Sequence, residues 1–177
     1  METSQNPLRL LAELLSGRAK PVITPERLAA SATYDLAYRM AVTSLTFRIH
    51  AKAEADAPVR IAADRLKLFQ FIAQRPWLVA TIRSWAESRK DAQLSMLSSD
   101  RLRRGYLGDV VHDRVVSFMV ARGILAWNGK YLVAGSKGVF IEAIYSEATQ
   151  NQLFTSELRA LDSLRSIRIT NEMLGEP

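Results

Sequence analysis

The stretch RLRRGY puts Arg101, Arg103, Arg104 and Tyr106 within six residues. Guanidinium groups that close together can grip phosphate oxygens, and a phenol adds a further donor. A solvated surface loop is the plainer role for such a run. Ser99-Asp100 and His112-Asp113 carry the hydroxyl, imidazole and carboxylate of acid–base catalysis, but dipeptides of this kind are common and no further group at a defined spacing joins them. Asp35, Asp64 and Asp100 could supply oxygen ligands to a metal, although nothing in their spacing requires it. His50 and His112 are lone histidines, with no second histidine or cysteine at metal-ligand spacing. A surface or capping role is expected for both.

The remaining chemistry is narrowed by absences. The sequence has no GxxxxGK[ST], GxGxxG or GxSxG motif. It has no cysteine, which excludes disulfides, thiolate metal sites and a cysteine nucleophile. A non-enzymatic protein without a cofactor is expected.

The chain of 177 residues is 48% hydrophobic and 24% charged, with a mean hydropathy of -0.04. These are values of a globular protein large enough to bury a core without staples. The net charge of +6 favours a polyanion or an acidic partner, but weakly. Arginine outnumbers lysine, and arginine serves protein interfaces as readily as phosphates. The first residues, METSQNPLRLLAELLSG, carry an early acid and a short apolar run, which does not read as a secretory signal. No run approaches the roughly eighteen apolar residues of a membrane span. A cytoplasmic protein is expected.

Helical periodicity organises most of the chain. Leu8, Leu11 and Leu15 share a face, and Thr24-Pro25 reads as a helix start. In ATYDLAYRMAVTSLTFRIHAKA an apolar stripe runs through Tyr34, Ala37, Tyr38, Ala41, Leu45 and Ile49. EADAPVRI reads as a break, because Pro58 discourages helix before it. Leu66, Phe69, Ile72 and Ala73 form the inward face of the next helix, which Pro76 ends or kinks. Leu78, Ile82 and Trp85 share the side of another. The polar stretch from Asp91 to Asp109 holds at most a short helix. DVVHDRVVSFMVARG is a strong helix closed by Gly123. After it, ILAWNGKYLVA reads as a hairpin with a two-residue type I′ turn at Asn128-Gly129. SKGVFIEAIYSEATQ is helical, and Phe154, Leu158, Leu161 and Arg165 line up on a last helix. Trp77, Trp85 and Trp127 are expected in the core, and any of them left exposed would serve as an interface anchor.

A helix, a glycine stop, a hairpin and a further helix form the order of a winged helix-turn-helix. The expected fold is therefore mostly α (α+β): a winged helix-turn-helix domain over 59–150 with a short β-hairpin wing. A helical region precedes it over 1–58, and a C-terminal helix and tail follow over 151–177. In that fold residues 109–122 would be the recognition helix. Base edges call for Arg, Lys, Asn or Gln. The first turn instead offers Asp109 and Asp113, which would face a dense line of phosphate charge. Both acids suit a helix N-terminus, so a structural role is expected for them. Lys130 at the wing tip and Lys137 beyond it join Arg101, Arg103 and Arg104 as candidate contacts to a DNA backbone.

The segments TYDLAYRMAVTSL and RLKLFQFIAQRPWLV, followed by ARGILAWNGKYLVAGSKG, resemble the small middle components of bacterial three-component systems. These are Lamassu-type defence modules built around an SMC-like ATPase. The likeness spans roughly residues 33 to 145 and rests on the Tyr38-Arg39 pair, the RLKLFQFI…RP helix end and the wing, none of them a catalytic motif. It implies an accessory subunit in anti-phage or anti-plasmid defence, seated on the ATPase and linking its DNA sensing to a nuclease effector. Tyr38, Arg39, Phe154, Leu158 and Leu161 are the candidate partner interface. DNA would be met indirectly or through its backbone, and dimerisation is left open. The competing reading is a free-standing winged-helix transcriptional regulator.

Overall fold

The computed structural model describes residues 35–53, 58–87 and 102–167. Helix α1 (Leu36–His50) begins at Asp35, whose Oδ1 accepts from the backbone N–H of Ala37 at 2.7 Å and Tyr38 at 3.2 Å. Asp35 is therefore a helix cap. Every residue of α1 from Arg39 to Phe47 is buried, because four of the helices that follow in the chain pack around it. The expected apolar stripe is widened to a whole circumference. Two hydroxyls inside it are satisfied locally: Thr43 donates to the Arg39 carbonyl and Thr46 to that of Val42, each at 2.7 Å. Such back-bonding lets a polar residue sit in a core.

Strand β1 (Arg60–Ala62) leads directly into helix α2 (Ala63–Ala73). Leu66, Phe69, Ile72 and Ala73 are buried as the periodicity requires, and Leu68 joins them. Helix α3 (Leu78–Glu87) follows Pro76. A short helix over 102–107, here α4, precedes helix α5 (Val110–Ala121). Beyond it come strands β2 (Leu125–Asn128) and β3 (Tyr131–Ala134), then helices α6 (Val139–Gln150) and α7 (Thr155–Arg165).

Gly123 ends α5 as expected. Its φ of 72° lies in the left-handed region that a Cβ disfavours. Its N–H donates to the Val120 carbonyl at 2.9 Å, and that of Ile124 to the Met119 carbonyl at 2.9 Å. These two bonds are the Schellman closure.

The sheet is antiparallel with strand order β1-β3-β2. The hairpin pairs Asn128 with Tyr131, so its turn residues are Gly129 and Lys130. The expected Asn128-Gly129 type I′ turn is thus displaced by one residue. Asn128 stays in the strand, and Gly129 alone takes a positive φ, 60°. That is the glycine-first form of a two-residue turn. β1 begins at the end of the stretch read as a break. Three residues are too few for an alternation signal, and the strand forms because β3 pairs with Arg60, Ile61 and Ala62.

The chain is mostly helical with one small three-stranded antiparallel sheet among the described residues. A single apolar core runs from Met40 to Ile167 and takes residues from both sides of positions 58 and 150. No helix among the described residues is long and apolar enough to cross a membrane.

Candidate partner-binding site

Helix α5 is fixed at its N-terminus by its two acids. Asp109 is the N-cap, its Oδ1 accepting from the His112 backbone N–H at 3.2 Å. The same carboxylate takes Arg39 Nη1 at 3.0 and 2.8 Å. Both side chains are withdrawn from water, with 3% of Arg39 and 10% of Asp109 exposed. Burial pushes the Asp109 carboxyl up. The hydrogen bond and charge of Arg39, with the His112 N–H, outweigh this and hold it below the usual carboxylate range. One turn on, Asp113 takes Lys67 Nζ of α2 on both oxygens at 2.9 Å. Lys67 Nζ also donates to the Leu107 carbonyl at 3.3 Å.

His112 lies between these two ion pairs. It is buried, contrary to the surface or capping role expected of it. Its Nδ1 meets Gln70 Oε1. Gln70 is itself buried, and its Nε2 donates to the Arg39 carbonyl at 3.4 Å. That bond orients the Gln70 amide, so Oε1 is the atom turned to His112 and the imidazole carries its proton on Nδ1. Burial pushes the His112 pKa down to about 4, so the ring is neutral at pH 7. Polar contacts thereby join α1, α2 and α5 within the apolar core.

Beside this network lies an open groove of ≈ 280 Å³. Asp64 and Lys67 of α2 line one side, Asp113 and His112 of α5 another, and Leu107 and Trp127 flank them. Trp127 is 53% exposed and Trp77 70%, which corrects the expectation that both belong to the core. The side chain of Trp85 lies outside the described residues. Trp127 shares a sheet face with Leu125 and with its cross-strand partner Leu132, both 0% exposed, and is itself exposed because it lies next to the hairpin turn, where the burial of β2 runs out. Val110, at the start of α5, is a further exposed apolar side chain.

The candidate backbone contacts are dispersed. Arg101 lies outside the described residues, as do Ser99 and Asp100. Arg103 is half-buried, and its Nε is buried without a hydrogen-bond partner. Arg104 is exposed but already engaged within the chain. Tyr106 is fully buried and unavailable to phosphate. Lys130 is exposed in the hairpin turn, 5.9 Å from the Tyr131 ring centroid, and Lys137 is exposed before α6.

The candidate interface residues meet one another inside the chain. The Tyr38 hydroxyl donates to Glu157 Oε1 at 2.8 Å, and its ring centroid lies 6.0 Å from that of Phe154. Burial first, then the Glu157 carboxylate, pushes the Tyr38 phenol up. Leu158 is half-buried against the core and Leu161 is 0% exposed. Arg39 is committed to Asp109. Tyr38, Phe154, Leu158 and Leu161 lie where α7 packs on α1, whereas Arg39 ties α1 to α5, and in this conformation the five leave little free surface. His50 belongs to the same seam. Its Nε2 donates to the Leu161 carbonyl at 3.0 Å, and its ring centroid lies 4.3 Å from that of Phe69 with the planes tilted by 44°.

Among the described residues, no group of three His, Cys, Asp or Glu could hold a metal ion. Comparison with protein-family models, curated proteins and solved structures gives no match.

Proposed function

We propose that this chain is a non-enzymatic adaptor built on a winged helix-turn-helix, whose α5 and wing side meets a protein rather than DNA bases. The order α1, β1, α2, α5 and a hairpin, with β3 in the middle of the sheet, suits that fold. α5 takes the place of the recognition helix and β2–β3 that of the wing. One observation carries the reading: both acids in the first turn of α5 are tied to cations of α1 and α2, so they are built into the frame. A base-reading helix needs donors there. The neighbouring groove instead offers the exposed indole of Trp127, a side chain enriched in protein-binding patches.

The resemblance to middle components of SMC-like defence systems supplies the partner for this proposal. It is a large SMC-like ATPase, with a nuclease effector in the same cytoplasmic assembly, acting against phage or plasmid DNA. The regulator reading keeps one support, the net charge of +6 together with exposed Lys130 and Lys137. Affinity capture of the tagged chain from its native host at near-physiological salt separates the two. The adaptor brings down the ATPase in stoichiometric amount. Recovery of the chain alone, or only with nuclease-sensitive DNA, contradicts it.

A further inference from the structure

We propose that the groove between α2, α5 and β2 seats an arginine side chain carried on a segment of the partner protein. The inference rests on the adaptor reading and names the chemistry of its contact.

Most of the uncommitted polar groups of the groove accept hydrogen bonds or attract cations; the Ser117 hydroxyl both donates and accepts, and the indole N–H of Trp127 donates. Asp64 stands exposed in the first turn of α2. Asp113 is 61% exposed, so its carboxylate still faces solvent while it holds Lys67. His112 spends its ring proton on Gln70, and the lone pair left on the neutral ring is that of Nε2. Trp127 presents an indole, the best cation–π partner among side chains. Lys67 is the cation that lines this groove. It is 11% exposed and committed to Asp113 and the Leu107 carbonyl, so it neutralises one carboxylate and leaves the other.

The occupant follows from this inventory. A phosphate would meet Asp64 and Asp113 at close range, and the positive end of α2 is already faced by Asp64. A purely apolar side chain would leave the carboxylates and the imidazole unanswered. A guanidinium supplies several donors in a plane and stacks on an aromatic face. The volume of ≈ 280 Å³ lies below the range of cofactor and drug-sized pockets, and suits one long side chain. Leu107, 49% exposed, gives the methylene stem or a neighbouring apolar residue a surface to lie on.

The test is selection of a random peptide library displayed on phage against the full chain at neutral pH. The enriched peptides are expected to carry an arginine beside apolar residues. A synthetic consensus peptide should lose binding by about tenfold when its arginine becomes glutamine, and by a similar factor against Asp64→Asn or Trp127→Ala. Both positions are exposed, and circular dichroism checks that each variant is folded. Absence of enrichment, a consensus without arginine, or binding indifferent to both variants overturns the proposal. Native capture with the same variants separates its failure from that of the adaptor. An SMC-like ATPase retained by both variants rejects this groove and keeps the adaptor, whereas recovery of DNA alone rejects both.

Discussion

Arg39 and Asp109 lie 70 residues apart in sequence and form a buried ion pair at 2.8 Å that locks α5 against α1. Removing one partner leaves the other charge buried without its counterion. Asp109→Ala also removes the cap of α5. Each single change, Arg39→Met or Asp109→Ala, is expected to cost about 3–5 kcal/mol in denaturant unfolding. The double variant Arg39→Met, Asp109→Leu is expected to lose less than either, because no charge is stranded. Losses that simply add would show that the two side chains are not coupled.

The histidines make stability depend on mild acid. Burial lowers the pKa of both His50 and His112 to about 4, against about 6.5 in an unfolded chain. Between those values the unfolded state binds more protons, so stability falls as pH falls. The full contribution is present above about pH 6.5. Within the window each histidine is expected to remove about 1.4 kcal/mol per pH unit. Urea unfolding from pH 7 to pH 4.5 measures the slope, and His50→Gln should reduce it by about half. Asp109 acts in a separate window. Its depressed pKa gives stability that is present above about pH 4 and is lost only on further acidification.

Leu161 tests whether α7 belongs to the fold. It is fully buried, as are Ala160 and Leu164 beside it. Leu161→Ala is expected to destabilise by about 2–5 kcal/mol, read as a fall in Tm of the isolated chain. An unchanged Tm would show that α7 is free in solution and open to a partner.

Gly123 tests the passage from α5 into the hairpin. At φ 72°, a Cβ would also come within 2.8 Å of Ser136 Oγ. Gly123→Ala is expected to cost about 1–2 kcal/mol. By contrast, Trp127→Ala should cost at most about 1 kcal/mol through its cross-strand neighbour Leu132, while partner affinity drops about thirtyfold or more if the indole anchors the interface. Calorimetry and partner titration on the same preparations separate the two effects.

Local signals were readable where chemistry is local. Gly123 announces a helix stop, the α2 periodicity places Leu66, Phe69 and Ile72, and the residues flanking Gly129 announce a hairpin. What failed depends on partners far along the chain. Arg39 reads as a partner-interface residue until Asp109 meets it, and His112 reads as a surface or capping group until Gln70 does. β1 has no signature of its own apart from the edge of β3. Residue type and strand alternation both place Trp127 in the core, since it shares the face of Leu125; it is exposed instead because it lies next to the hairpin turn, where the burial of β2 runs out. The groove itself was not legible, because its lining comes from α2, α4, α5, β2 and β3, which meet only in the fold.

On this reading α5 does not read bases. The most direct measurement is selection of a randomised DNA duplex library by the full chain at near-physiological salt. The expected result is no enriched motif, with any residual binding equal across unrelated duplexes and falling steeply as salt rises. Enrichment of a defined motif, lost when the exposed Arg114 and Ser117 of α5 become alanine, would contradict the claim and make α5 a recognition helix.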